Sequence, residues 1–240
     1  MEKLTFFYGK GGFEAFGTQH LTAVLLFTVI GTLIIWWSKT RLNPTQQYRV
    51  GNLLSLFIAG TVILWTLFEV YFGRFENADL PIAVCNFSAL AMPFVMIKKS
   101  YAWYQIFFFW IMAGTIQANL TPDLHYGFPH YCFFKYWIVH SGLIVLILYA
   151  TIVYNWRPYP KSILKAFAAL IVYFVFSIMV NYLTSTNHMY LLHKPKTASV
   201  LDLFGAWPWY VVTALILVIP AFCLVYIPFF LKDLFSKIRK

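Results

Sequence analysis

Charged side chains are scarce in this chain of 240 residues: Asp and Glu together number 8, and all charged residues make up 11%. Soluble domains carry about 25% charged and about 45–50% apolar residues, whereas 61% of this chain is hydrophobic. The shortage excludes a soluble domain and leaves an integral membrane protein. No positively charged n-region, apolar h-region and small-residue cleavage site precede the first apolar run, because MEKLTFFYGKGGFEAFGTQ is mixed and glycine-rich. The first span is therefore expected to stay in the mature chain. Internal repeats, low-complexity runs and long linkers are also missing, which points to one integral membrane domain over residues 1–240. No basic stripe is interleaved with soluble aromatics, so nucleic acid is not a partner.

What is present is a series of apolar runs. A transmembrane helix needs about 20 mostly apolar residues, and runs of that kind fall near 20–38, 51–72, 80–97, 101–118, 133–154, 163–183 and 209–231. The expected fold is all-α, a polytopic bundle of about seven transmembrane helices. The third and fourth runs are short and separated only by KKSY, which suits a tight helical hairpin. Short cytoplasmic loops carry the Lys and Arg excess. Lys39, Arg41, Arg49, Lys98, Lys99, Arg157, Lys161, Lys165, Lys232, Lys237, Arg239 and Lys240 fall on one side, twice as many as Lys3, Lys10, Arg74, Lys135, Lys194 and Lys196 on the other. This bias predicts an outside N-terminus and a cytoplasmic C-terminus, in the cell membrane. The net charge of +10 then serves insertion and attraction to anionic inner-leaflet lipid.

At 1.5 Å per helical residue, each polar side chain acquires a depth. His20 falls at the outer end of span 1, Glu69 within a turn of the outer end of span 2, and Cys85 about 7–8 Å into span 3. Gln117 and Asn119 close span 4, His140 lies about 10 Å into span 5, and Asn181 is near the outer end of span 6. Ionisable and amide groups within a bilayer are costly and usually face a bundle interior or a wet cavity. Their clustering in one layer points to a functional cavity, with interhelical hydrogen bonding as the plain alternative. The loops LTPDLHYGFPHYCFFKYWIVH and NYLTSTNHMYLLHKPKTASVLDLFGAWPWY are rich in His, Pro, Gly and aromatics and read as a lid over it. Trp207, Trp209 and Tyr210 equally suit an interfacial belt.

Two chemistries fit such a cavity. His125 with His130, and His188 with His193, are each five positions apart, and Cys132 stands near the first pair. Zinc favours His and Cys in a tetrahedral set, but this spacing is not the helical i, i+4 pair found in seven-helix ceramidase-like zinc hydrolases. Only Asp123 offers a carboxylate nearby. No metal and no cofactor are expected. The second chemistry is a cysteine nucleophile activated by a histidine, since thiolate is the reactive form. In NADLPIAVC, Asp79 reads as an N-cap and Pro81 as a first-turn residue, with Cys85 just beyond the first turn. The dipole fades within that turn, so a base must do the activating, and His140 matches Cys85 in depth. A free Cys also behaves as a small buried hydrophobe, which is the reading for Cys223. A Cys85–Cys132 disulfide is a further alternative.

LTPDLHYGFPHYCFFKYWIVH, LHKPKTASVLDLFGAWPWY, LPIAVCNFS and FGTQHL together resemble the YwaF-like bacterial integral membrane proteins. These are related to eukaryotic transmembrane acyltransferases of ether phospholipids. The resemblance runs from about residue 10 to residue 230. It implies a catalytic cysteine in the LP-x-x-x-C element and a catalytic histidine in the next outward-facing span, matching Cys85 and His140. The chain departs from the family's LPLHLC at Ile82 and Ala83, and from its N-Y-M at Asn187, His188, Met189.

The expected activity is acyl transfer on phospholipid or lysophospholipid chains through a Cys85 thioester, with membrane lipids as partners. Asn86, Asn181 and Asn187 are candidate oxyanion donors. Gln117, Asn119, Glu69, His20 and His130 complete the substrate-binding candidates. The alternative is a non-catalytic transporter or binding protein for a small ligand or lipid head group. Discontinuous spans would mark it, but Pro93, Pro220 and Pro228 lie away from the polar layer.

Overall fold

The computed structural model describes residues 5–9, 11–195 and 200–238. Lys3, Lys10, Lys196, Arg239 and Lys240, which enter the charge bias, lie outside the described residues. The long regular elements of the described residues are all helices: α1 (Thr18–Arg41), α2 (Pro44–Tyr71), α3 (Val84–Ile97), α4, α5 (Tyr131–Ile152), α6 (Pro160–Thr184) and α7 (Trp209–Ile238). Helix α4 runs as Tyr101–Trp110, passes through a π-turn at Ile111–Thr115 and finishes as Ile116–Leu120. Five of these, α1, α2, α5, α6 and α7, are long and apolar enough to cross a membrane. Helix α3 has only 14 residues, and the π-turn divides α4.

Helix ends follow local chemistry. Asn43 accepts from the Gln46 N–H at 3.0 Å while Gln46 Oε1 accepts from the Asn43 N–H at 3.1 Å, a reciprocal capping box before Pro44. The expected hairpin between α3 and α4 is present. Lys99 takes a left-handed φ of 51°, and the Ser100 N–H donates to the Val95 carbonyl at 2.9 Å, the left-handed closure common at helix C-termini. The Lys99 ammonium then lies 3.6 Å from the centre of the Tyr48 ring. One expectation is corrected. Helix α3 starts at Val84, so Cys85 is its second residue and lies within the first turn. Asp79 caps a separate short turn, Asn77–Asp79, where its carboxylate accepts from the Glu76 N–H at 2.8 Å.

The chain divides into two compact units. Residues 1–75 with 84–156 form the first and 76–83 with 157–240 the second. In the first, α2 packs against α3 and α5, α1 against α5, and α4 against α3 and α5. The described parts of the N-terminal segment join the loop after α4: the Gly11 N–H donates to the His125 carbonyl at 3.0 Å and the Tyr131 N–H to that of Phe6 at 2.9 Å. In the second unit, α6 packs on α7, and Arg157 donates two hydrogen bonds to Asp233, at 2.8 and 2.7 Å. The Tyr173 hydroxyl donates to the Ile82 carbonyl at 2.7 Å.

Helix α1 approaches α5 through Gly31, where a Cβ would collide with the Val145 side chain. Gly60 on α2 has nothing within 4 Å of that position. Gly31→Ala should therefore destabilise the detergent-solubilised protein by about 1–3 kcal/mol, the usual cost of overpacking. Gly60→Ala should be neutral or stabilising by up to about 1 kcal/mol through helix propensity. Melting temperatures of the two variants check the contrast; equal shifts would mean that Gly31 is not a packing contact.

Candidate active site

A buried polar knot ties three helices of the first unit together. His20 Nδ1 accepts from the Phe16 N–H at 2.9 Å, so its Nε2 carries the proton and donates to the Asn119 carbonyl at 2.8 Å. Asn119 Nδ2 donates to the Thr115 carbonyl at 2.9 Å, and its Oδ1 accepts from Ser141 Oγ at 2.6 Å. All four residues are buried. The His20 ring also stacks on Trp137, with centroids 5.4 Å apart. Asn119 and His20, expected as substrate-binding residues, thus commit their side-chain polar atoms to Ser141 and to backbone groups.

Cys85 lies beside this knot. Its sulfur is 4.0 Å from Thr115 Oγ1, and the Lys135 ammonium and Tyr136 phenol of α5 lie within electrostatic range. His140 Nδ1 stands 2.8 Å from the Tyr136 carbonyl. A carbonyl only accepts, so Nδ1 holds a proton, and in the neutral imidazole Nε2 keeps its lone pair. The His140 and Tyr136 rings are 4.2 Å apart, and the Tyr136 hydroxyl donates to the Ala118 carbonyl at 2.7 Å. Tyr136 is therefore the neighbour that Cys85 and His140 share. Among the described residues, no hydrogen bond joins Cys85 to His140 directly. Thr115, Tyr136 and Ser141 were not legible as site residues. Tyr136 carried one available signal, being four positions before His140 and so on the same helical face.

The remaining candidates separate by role. Glu69 is buried and ion-paired: Arg74 Nε lies 3.3 Å from its carboxylate, and the Tyr131 hydroxyl donates to it. Arg74 also donates to the Phe7 carbonyl at 3.1 Å. His130 caps α5, its Nδ1 accepting from the Cys132 N–H at 3.2 Å, and stacks on Tyr126 with centroids 4.3 Å apart. Burial and the nearby Arg74 hold its pKa below the ordinary histidine value.

Asn181 and Asn187 belong to the second unit and brace its loop. Asn181 Oδ1 accepts from the His188 N–H at 2.7 Å and from Thr186 Oγ1 at 3.0 Å, while its Nδ2 donates to the His188 carbonyl at 3.2 Å. Asn187 Nδ2 donates to the His193 carbonyl at 2.6 Å, and its Oδ1 accepts from the Leu192 N–H at 3.0 Å. Gln117 is exposed, and Asn86, half-buried next to Cys85, makes no side-chain hydrogen bond to the described residues.

Cys85, Cys132 and Cys223 are free thiols. Among the described residues, no three His, Cys, Asp or Glu side chains gather as a metal-holding group. His125 instead pairs with Asp123 at 3.6 Å on the surface. A groove of about 500 Å³ runs along α1, beside the end of α4 and the middle of α5. Phe27, Val145 and Leu148 are among its apolar walls, and His20, Asn119 and Ser141 close one end. Cys85 and His140 do not line it.

Five membrane-length apolar helices define a helical integral membrane protein. The chain belongs to the TMEM164 family, whose family model matches residues 15–226. No curated protein and no solved structure matches it.

The lowered pKa of His130 means that the folded state binds this proton less readily than the unfolded chain does. His130 therefore weakens stability as pH falls below about 6.5, where the unfolded chain takes up the proton first. The loss grows until the folded-state pKa is passed. His130→Asn keeps a capping acceptor and has no such proton, so its melting temperature should fall less than that of the natural protein between pH 7.5 and pH 5.0. An identical fall in both proteins would remove His130 as a source of acid sensitivity.

Proposed function

We propose that the chain is a membrane acyltransferase working on phospholipid or lysophospholipid acyl chains through Cys85 and His140. In this reading, all seven helices span the cell membrane as one domain, with the N-terminus outside and the C-terminus cytoplasmic. The observation that carries the reading is the hydrogen bond that orients His140. With Nδ1–H committed to the Tyr136 carbonyl, the Nε2 of a neutral His140 is left as a base on the helix whose Tyr136 neighbours Cys85. That is the form a general base needs. The resemblance of LPIAVC and its neighbouring loops to the YwaF-like proteins and their acyltransferase relatives supports the same pair.

In the proposed reaction, His140 Nε2 takes the Cys85 proton as the two side chains turn toward each other around Tyr136. The thiolate attacks the ester carbonyl of a phospholipid, and the C–O bond breaks. The lysolipid oxygen leaves with the proton from His140, and the acyl group stays on sulfur as a thioester. A second lysolipid hydroxyl then attacks the thioester while His140 accepts its proton, which returns to the sulfur as the thiol is released. With water in that second step, the enzyme is a lipid hydrolase. Of the three asparagines considered as oxyanion donors, Asn86 is the one whose amide has no described partner.

Purified protein in phospholipid vesicles, supplied with a labelled acyl donor and a lysolipid acceptor, tests this. Cys85→Ala should abolish transfer, and His140→Ala should lower it about 10²–10⁴-fold, the usual worth of positioned acid–base transfer. Mass spectrometry of the natural protein should find an acyl adduct on Cys85. Full transfer by both variants would falsify the mechanism.

The groove along α1 favours a second reading, a non-catalytic lipid-binding protein, because its long apolar wall does not include Cys85 or His140. That reading predicts unchanged lipid retention in Cys85→Ala and no acyl adduct.

A further inference from the structure

Helix α4 carries a π-turn at Ile111–Thr115. In α-helical surroundings a threonine hydroxyl usually bonds back to the carbonyl four residues earlier. Thr28, Thr40, Thr61, Thr66 and Thr151 all do so here, at 2.7–3.1 Å. Thr115 closes the π-turn, and its hydroxyl is 4.0 Å from the Cys85 sulfur instead. It is 1% exposed, so water does not compete for that hydroxyl. Its carbonyl is held by Asn119 Nδ2, and Asn119 is held in turn by Ser141 and His20. The turn that aims Thr115 is thus fixed from α1 and α5. Single widened turns of this kind are frequent at functional sites.

From this arrangement we infer that Thr115 is a positioning residue for Cys85: it holds the side-chain direction of the thiol and donates its hydroxyl hydrogen to the sulfur once the proton has left. The inference rests on Cys85 acting as a thiolate, as in the proposed acyl transfer. Hydrogen bonds to an ionised partner are roughly twice as strong as neutral ones, so the contact contributes most when the sulfur is charged. Among the described residues, Lys135 and Tyr136 on α5 lie within electrostatic range of the sulfur, and His140 on the same helix is its proposed base; none of the three is altered by substitution at Thr115.

The test reads the thiol without requiring acyl transfer. Full-length protein in detergent is treated with iodoacetamide across a pH series, and alkylation of the Cys85 peptide is followed by mass spectrometry. Cys132 in the same molecules serves as the internal reference. Thr115→Val keeps the volume and removes the hydroxyl. Its Cys85 midpoint should rise by about one pH unit, with about tenfold slower alkylation near neutral pH. Thr115→Ser should behave as the natural protein, and Cys132 should react alike in all three.

An unchanged Cys85 profile in Thr115→Val, an equal shift in Thr115→Ser, or parallel slowing at Cys132 would each overturn the inference. If Thr115→Val does not fold, Thr115→Ala removes the same hydroxyl and gives the same readout. Failure of the acyl-transfer reading would appear elsewhere, as undiminished transfer by Cys85→Ala.

Discussion

The hydrogen bond from His20 Nε2 to the Asn119 carbonyl is the constraint from which the first unit's interior follows. Inside an apolar layer, water is not at hand to satisfy a stray donor or acceptor, so every polar atom must find a partner within the protein. The π-turn disturbs the backbone ladder of α4, and the Asn119 side chain covers the Thr115 carbonyl there. Asn119 in turn needs Ser141 and His20, which brings α5 and α1 into the same set of hydrogen bonds. A widened turn of backbone and the groups that satisfy it therefore tie three helices together, and the direction of the Thr115 hydroxyl is a by-product of that closure.

The helices were legible because apolar run length is a property of composition. The runs at 20–38, 133–154 and 163–183 lie within a few residues of Thr18–Arg41, Tyr131–Ile152 and Pro160–Thr184. The start of α3 was not legible. Asp79 and Pro81 are good helix-start residues, but Asp79 is engaged by Glu76 and the Ile82 N–H turns back to the Leu80 carbonyl at 2.7 Å. Depth alone grouped Glu69 with Cys85 and His140, yet depth is blind to a partner five positions later. Arg74, read in the sequence only as a topology charge, folds back onto that carboxylate.

The candidate site was half legible for a similar reason. Cys85 and His140 stand out as unusual residue types in apolar runs, whereas Thr115 and Tyr136 are ordinary ones. A threonine inside a span normally satisfies itself on its own helix, and no residue pattern announces the π-turn that diverts this one. Asn181 and Asn187 had the right chemistry for oxyanion donors, but loop backbone needs donors and acceptors as well. The left-handed turn at Ser185 and the segment to His193 take up both amides.

A π-turn is, in effect, one extra residue in a helix, and an α-helix advances about 100° per residue. Tyr101–Trp110 and Ile116–Leu120 therefore do not share a single helical wheel. A periodicity drawn through the whole of α4 loses phase at Ile111–Thr115, and residues beyond it appear on the wrong side. Thr115 and Asn119, four positions apart, share one face beyond the turn and meet Cys85, Ser141 and His20 there, while Tyr104 in the first half meets Thr151 and the Trp156 carbonyl. One strand of chain thereby serves two neighbourhoods that a uniform helix of the same sequence would have to merge.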